Sequence, residues 1–184
     1  MPCPYLTLPE NHSRRRNARR YGSAGLIALA FAVGPALSAQ AHVHVHPDST
    51  EAGAESVLTF SVPNESEAAD TTELTVTFPQ DQPFAEVKVR SMPGWTAKAT
   101  TDTLPSPVEV EGTTLTEAVH TVTWTAQDGS AIPPALYEKF EVSVGPLPES
   151  GEIRFSASQT YSDGSVVDWD EPTTAGAEEP EHPA

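Results

Sequence analysis

Three histidines alternate with two valines in the segment His42-Val43-His44-Val45-His46. Imidazole nitrogen is a borderline-soft donor that suits Cu(II), the ion at the top of the divalent affinity order. In a strand, residues at i, i+2 and i+4 share one face, so the three imidazoles can act together while the valines occupy the other face. The segment therefore predicts a Cu(II) site. The alternative for His44 and His46 is that they are exposed polar residues of an edge strand.

The residues before His42 determine whether that histidine has a free α-amine for metal binding. Residues 13–20 are rich in arginine, an apolar stretch follows at Ala24–Val33, and Ala39-Gln40-Ala41 matches an A-x-A cleavage site. The apolar stretch has about ten residues, whereas a membrane span needs roughly 20. We therefore expect residues 1–41 to be a cleaved secretory signal. The mature protein is then exported to the cell envelope, the periplasm or the extracellular space, without a membrane anchor.

Cleavage after Ala41 would make His42 the first residue and give it a new α-amine. The amine and the imidazole Nδ1 can close a chelate ring on one ion, and both must be deprotonated to bind, so affinity should rise with pH. A second mode uses the amine, two deprotonated backbone amides and the imidazole of His44. The two modes compete, because a segment that pairs as a strand commits its amides to the ladder.

The charge and the cysteine content exclude several classes of binding partner and metal site. After Ala41 the chain holds five basic and 25 acidic side chains, a formal charge of −20. Such a surface attracts cations and repels nucleic acids and anionic lipids. The single cysteine, Cys3, lies in the predicted leader, which excludes disulfides, zinc–thiolate sites and blue-copper centres from the mature chain. No phosphate-binding loop or catalytic triad pattern indicates an enzyme.

Residues 42–170 predict one all-β domain, because short alternating segments are separated by turn residues and no helical period is sustained. Nine segments with one apolar face each indicate a two-sheet antiparallel β-sandwich. The predicted strands are Val43–His46, Ser56–Pro63, Glu73–Phe78, Ala85–Val89, Trp95–Thr100, His120–Thr125, Tyr137–Val144, Ile153–Tyr161 and Val166–Trp169. Residues 171–184 are acidic and proline-rich, and we expect them to form a disordered tail.

Two residues within these strands could contribute to a site. Glu138 is in phase with the apolar residues Phe140 and Val142, so it lies at the open end of the sandwich, meets a cation or binds a metal. The alternative is that it reaches solvent at the start of its strand. Trp169 is in phase with Val167, which predicts an aromatic at the end of the core.

Several motifs together resemble the exported YcnI-like copper-binding domain of bacteria. They are His42-Val43-x-Val45 with Pro47, Val62-Pro63-Asn64-Glu65, Pro93-Gly94-Trp95, Trp124-Thr125, Tyr137-Glu138-x-Phe140, and Gln159-Thr160-Tyr161-Ser162-Asp163-Gly164 with Trp169. The resemblance implies a cupredoxin-like or immunoglobulin-like sandwich. It also implies a monohistidine brace, in which His42 and Glu138 bind Cu(II) and Trp169 lies near the ion.

This chain departs from that family at His44, where relatives commonly have threonine. His44 and His46 therefore supply additional ligands or a second, weaker site. The resemblance implies a copper chaperone or buffer that passes copper to a membrane importer or an apo-metalloprotein, without enzymatic activity. We expect a monomer, with a copper-bridged dimer as the alternative.

Two other functions stay open at this point. The first is a copper-dependent oxidative enzyme in which the amino-terminal histidine pairs with a second histidine, for which His120 is the candidate. The second is an exported adhesion or interaction module whose histidines bind no metal.

Overall fold

The computed structural model describes residues 42–172 and 180–184. These residues belong to one compact unit, Ser38–Ala184, and the predicted leader lies outside them. In this part of the chain the secondary structure consists of strands. They are β1 (His44–Pro47), β2 (Ser56–Pro63), β3 (Thr71–Thr77), β4 (Glu86–Val89), β5 (Trp95–Val110), β6 (Thr113–Ala126), β7 (Tyr137–Gly145), β8 (Ser156–Tyr161) and β9 (Val166–Trp169).

The strands form two antiparallel sheets with the core between them. One sheet has the order β1-β2-β7-β4 and the other has the order β5-β6-β3-β8-β9. Alternate residues of β2 and β7 are buried, including Phe60, Val62, Phe140 and Val142. The all-β fold with two antiparallel sheets is thereby confirmed, and β1 is an edge strand of the first sheet.

The β5–β6 hairpin is much longer than the sequence pattern predicts. The ladder extends to a turn at Glu111 and Gly112, which both have positive φ. Such a turn matches the twist of the two strands. The predicted strand ended at Thr100, whereas β5 continues through Pro105 and Pro107. β5 is an edge strand and its register shifts between Thr103 and Val108, so the missing N–H groups cost no ladder bonds.

Asp48 fastens the end of β1 to the start of β2. Its carboxylate accepts hydrogen bonds from the Val57 amide at 2.7 Å and the Ser56 hydroxyl at 3.1 Å, and its own amide donates to the Val57 carbonyl at 3.0 Å. These bonds, led by the one from Val57, hold the pKa of Asp48 below its usual value. The connection keeps the short edge strand in register.

Candidate metal centre

His42 is buried although it precedes β1, with only 3% of its surface exposed. Its ring centroid lies 5.9 Å from that of Trp169 on β9. The three histidines predicted to share a face differ in exposure, because His44 and His46 are exposed within β1 whereas His42 is buried. His42 therefore lies at the end of the core, beside Trp169.

A buried glutamine fixes the orientation of Trp169. The side chain of Gln159 accepts a hydrogen bond from the Trp169 indole at 3.2 Å. It also donates to the Pro63 carbonyl at 2.9 Å and to the Thr71 hydroxyl at 2.7 Å. Gln159 is fully buried, and these hydrogen bonds give both its amide oxygen and its amide nitrogen a partner, as buried polar groups require. The indole ring is therefore held in one orientation where it contacts His42.

His44 and His46 extend the row of imidazoles along the outside of β1. The ring of His44 lies 6.1 Å from that of His42, and the ring of His46 lies 6.1 Å from that of His44. Exposure increases along the row, from buried His42 to the two exposed histidines. The second binding mode for His42 would need the amides of Val43 and His44. Since His44 pairs with Ser61 as the first pair of the β1–β2 ladder, that mode requires the end of the strand to open.

Glu138 is exposed at the start of β7. Its Oε1 accepts a hydrogen bond from the Lys139 amide at 3.0 Å, and the side chain borders a surface depression that also includes Arg90 and Glu141. Glu138 pairs with Val62 of β2, and β1 lies on the other side of β2. The structure therefore brings His42 to Trp169, whereas it leaves Glu138 one strand away from β1.

The side chains of His42 and Glu138 suit an ion that prefers imidazole, but they do not form a complete set of ligands around one point. Among residues 42–172 and 180–184, no three histidine, cysteine, aspartate or glutamate side chains converge as a ready metal-binding group. Adjacent strands lie about 4.8 Å apart, so Cα atoms of β1 and β7 are roughly 10 Å apart across β2. Two side chains and two metal–ligand bonds of about 2 Å each can cover that span. The residues present fit an ion that recruits Glu138 on binding.

His120, the other candidate imidazole, has a partner of its own. Its Nδ1 lies 2.6 Å from Oδ2 of Asp102 on the neighbouring strand of the β5–β6 hairpin. Both side chains are exposed to solvent. The pairing engages Nδ1, so Nε2 is the nitrogen that the oxidative alternative would have to use.

The end of the chain contributes a residue that the sequence pattern did not single out. The predicted disordered tail differs from what is seen at residues 180–184, where His182 and Ala184 are hydrogen-bonded to Glu171. The ring of His182 packs edge-on against Trp169, with centroids 5.2 Å apart. Only the tertiary fold brings these residues together, because neither periodicity nor a turn motif marks His182.

The paired antiparallel sheets define an immunoglobulin-like β-sandwich, and a solved relative has the same fold. Its description is that of an uncharacterized protein from Nocardia farcinica with an immunoglobulin-like fold. The two share 42% sequence identity at a TM-score of 0.62, over 77% of this chain and 93% of that one.

A family comparison then identifies the chain. Residues 42–184 match the family described as Domain of unknown function (DUF1775). The chain belongs to this family, which is the YcnI family indicated by the sequence motifs. The match begins at His42, so the predicted leader lies outside the shared domain.

One curated relative carries a functional name. The chain is 29% identical over 142 residues to the copper-binding protein CutI of Bacillus subtilis (strain 168). The alignment covers 77% of this chain but only 60% of that protein's length.

Proposed function

We propose that this protein is an exported Cu(II)-binding protein that carries or buffers copper. The ion is its cargo. His42 supplies the α-amine and imidazole once the leader is removed, Glu138 supplies a carboxylate, and Trp169 walls the site. The observation that carries the proposal is the burial of His42 against Trp169, because a histidine two residues before an edge strand would otherwise be expected in solvent.

The relation to CutI supports the choice of metal. That protein is named for copper binding, and it is 29% identical to this chain over 142 residues. Nitrogen donors from an amine and an imidazole suit Cu(II), and a carboxylate completes a mixed nitrogen and oxygen set. The two partners we propose are a membrane copper importer and an apo-metalloprotein that accepts the ion.

Glu138 suits a site that must release its cargo. The carboxylate is exposed, and its described hydrogen bond is to the neighbouring amide of Lys139. Exchanging that bond for a metal costs little, because water can solvate the released N–H. A ligand that joins and leaves easily favours transfer of the ion to a partner over permanent retention.

Export and the amino-terminal chemistry are proposed together. The α-amine exists only if the leader is cut after Ala41, so an intact chain would lack one of the two donors at residue 42. The described residues hold no helix that is long and apolar enough to span a bilayer.

Copper titration of the exported, mature form tests the proposal. The first residue is verified by mass spectrometry, and the tightest Cu(II) equivalent is followed by calorimetry and by quenching of tryptophan fluorescence. We expect Glu138→Gln to weaken this equivalent at least about tenfold, which is about 1.4 kcal/mol, because a charged ligand is lost. A form with one residue added before His42 should lose it, because the amine is displaced. Glu141→Gln, on the opposite face of β7, is the matched control and should bind as the wild type does.

Two results would contradict the assignment in different ways. If the added residue abolishes binding but Glu138→Gln has no effect, the ion is held by the amine, the backbone amides and His44, and Glu138 is not a ligand. If neither change affects the tightest equivalent, His42 is not the copper residue.

A further inference from the structure

The outer face of β1 carries two imidazoles that the proposed site does not use. His44 and His46 are both exposed, and their ring centroids are 6.1 Å apart with the planes tilted by 41°. When one ion binds a nitrogen from each of two imidazoles at about 2.0 Å, the ring centroids lie roughly 4.5–6.5 Å apart, depending on the angle at the metal. The observed spacing falls within this range, so one ion can contact both rings after small side-chain rotations.

The fold holds these two side chains outward. Val43 packs against the core, and Val45 pairs with Phe60 on the inner face, so the intervening histidines must point away from the core. Their neighbours on the outer face of β2 are the small hydroxyl residues Ser61 and Thr59, which leave room above the strand. The Asp48 connection fixes the register at the end of this strand. The pair is therefore preorganised by the sheet.

The chemical surroundings favour a cation. The mature chain has a formal charge of −20, which raises the local concentration of divalent ions at its surface. Two imidazoles select borderline ions such as Cu(II) or Zn(II) over Ca²⁺ and Mg²⁺, which prefer oxygen ligands. The remaining coordination positions face solvent, so water completes the shell and the site stays open.

We propose that His44 and His46 form a second, solvent-facing Cu(II) site on the edge strand, distinct from the one at His42. This proposal does not depend on the first site, because His44 and His46 are not among the residues proposed to bind the first ion. His44 lies 6.1 Å from both His42 and His46, so it is within ligand range of either ring. An ion bound by His44 and His46 therefore lies next to the buried His42, because His44 neighbours both of the other rings.

Counting bound Cu(II) by native mass spectrometry and electron paramagnetic resonance separates the two sites. We expect the mature wild type to bind two equivalents and His44→Gln/His46→Gln to bind one. The form with a residue added before His42 should bind one equivalent, whose spectrum shows two imidazole nitrogens. Adding the double substitution to that form should remove all specific binding. His120→Gln, which removes an exposed imidazole elsewhere, should leave the count at two.

A matched variant tests the geometry at constant composition. Val45→His combined with His46→Val keeps three histidines in the segment but moves one imidazole to the opposite face of β1. We expect it to lose the second equivalent and keep the first. Circular dichroism melting curves check that each variant is folded. The proposal is overturned if the wild type binds a single equivalent, or if its second equivalent survives either double substitution.

Discussion

At the residue scale, the candidate centre depends on a side chain that contacts no predicted ligand. Gln159 is fully buried and links Trp169 to Pro63 and Thr71. Pro63 is the last residue of β2 in one sheet, and Thr71 is the first residue of β3 in the other. The indole can serve as a fixed wall for His42 only because this amide holds its N–H. Gln159 is thus a positioning residue for the site and a cross-link of the core.

Replacing Gln159 by leucine should destabilise the fold. The substitution leaves the Trp169 indole N–H and the Thr71 hydroxyl buried without their partner, and each such loss costs about 1–3 kcal/mol. We expect the free energy of unfolding in urea to fall by about 2–4 kcal/mol. Gln127→Leu is the control, since that side chain is exposed and donates a hydrogen bond to the exposed Thr96 hydroxyl. An equal loss in both variants would contradict the role given to Gln159.

Histidines also show what a sequence reveals about a single residue. The alternation in residues 42–46 correctly predicted a strand whose outer face carries imidazoles, because period-two patterning directly reflects the pleat. It could not predict that His42 is buried, since that burial accompanies a ring contact with Trp169 of β9. Tertiary contacts of this kind have no local pattern.

At the element scale, the β1 edge strand owes its attachment to few groups. It has four residues, all exposed, and pairs with one neighbour, β2. Asp48 supplies the side-chain bonds at its end, and its pKa is lowered by the Val57 amide and then by the Ser56 hydroxyl. A carboxylate with a depressed pKa in the folded state contributes stability above its unfolded pKa and loses it as pH falls through the folded value.

Substitution of Asp48 by asparagine should therefore change the acid limb of the stability curve. The wild type should lose stability as the pH falls below the ordinary aspartate pKa of about 3.9, because protonation of Asp48 weakens the bonds to β2. Asp48→Asn should be less stable than the wild type near neutral pH, and this difference should shrink in acid. Melting temperatures from pH 2 to 7 measure both effects. Asp81→Asn is the control, because Asp81 is a loop carboxylate for which no such bonds are described. A stability difference between the wild type and Asp48→Asn that stays constant with pH would contradict the mechanism.

Strand prediction succeeded or failed according to how each strand is buried. β2 and β9 have the predicted limits, because their alternating apolar residues face the core. The outer half of the β5–β6 hairpin was missed since it is mostly exposed and has no apolar period to detect. The same reasoning applies to the tail, where residues 180–184 are held by backbone bonds to Glu171 that any sequence could make.

At the scale of the whole molecule, the acidic surface should govern how fast metal ions arrive. Residues 42–184 carry a formal charge of −20, and their field attracts divalent cations and is screened beyond roughly 10 Å at 0.1 M salt. We expect the association rate of Cu(II) to fall severalfold between 10 mM and 300 mM inert salt, while the dissociation rate changes less. Stopped-flow fluorescence of the tryptophans measures both rates. An association rate independent of salt would show that the surface charge does not guide the ion.

Both ends of the described domain meet at the same aromatic ring. His42 and His182 each contact Trp169, so their imidazoles are separated by no more than the sum of two short ring distances, 5.9 Å and 5.2 Å. Chain ends this close can be joined by a short peptide, and new ends can be opened elsewhere, as at the exposed Glu111–Gly112 turn. Such a circular permutant would keep the sandwich, the indole and every imidazole. Compared with the proposed mature form it would lack the α-amine at residue 42, which isolates that one donor without changing a side chain.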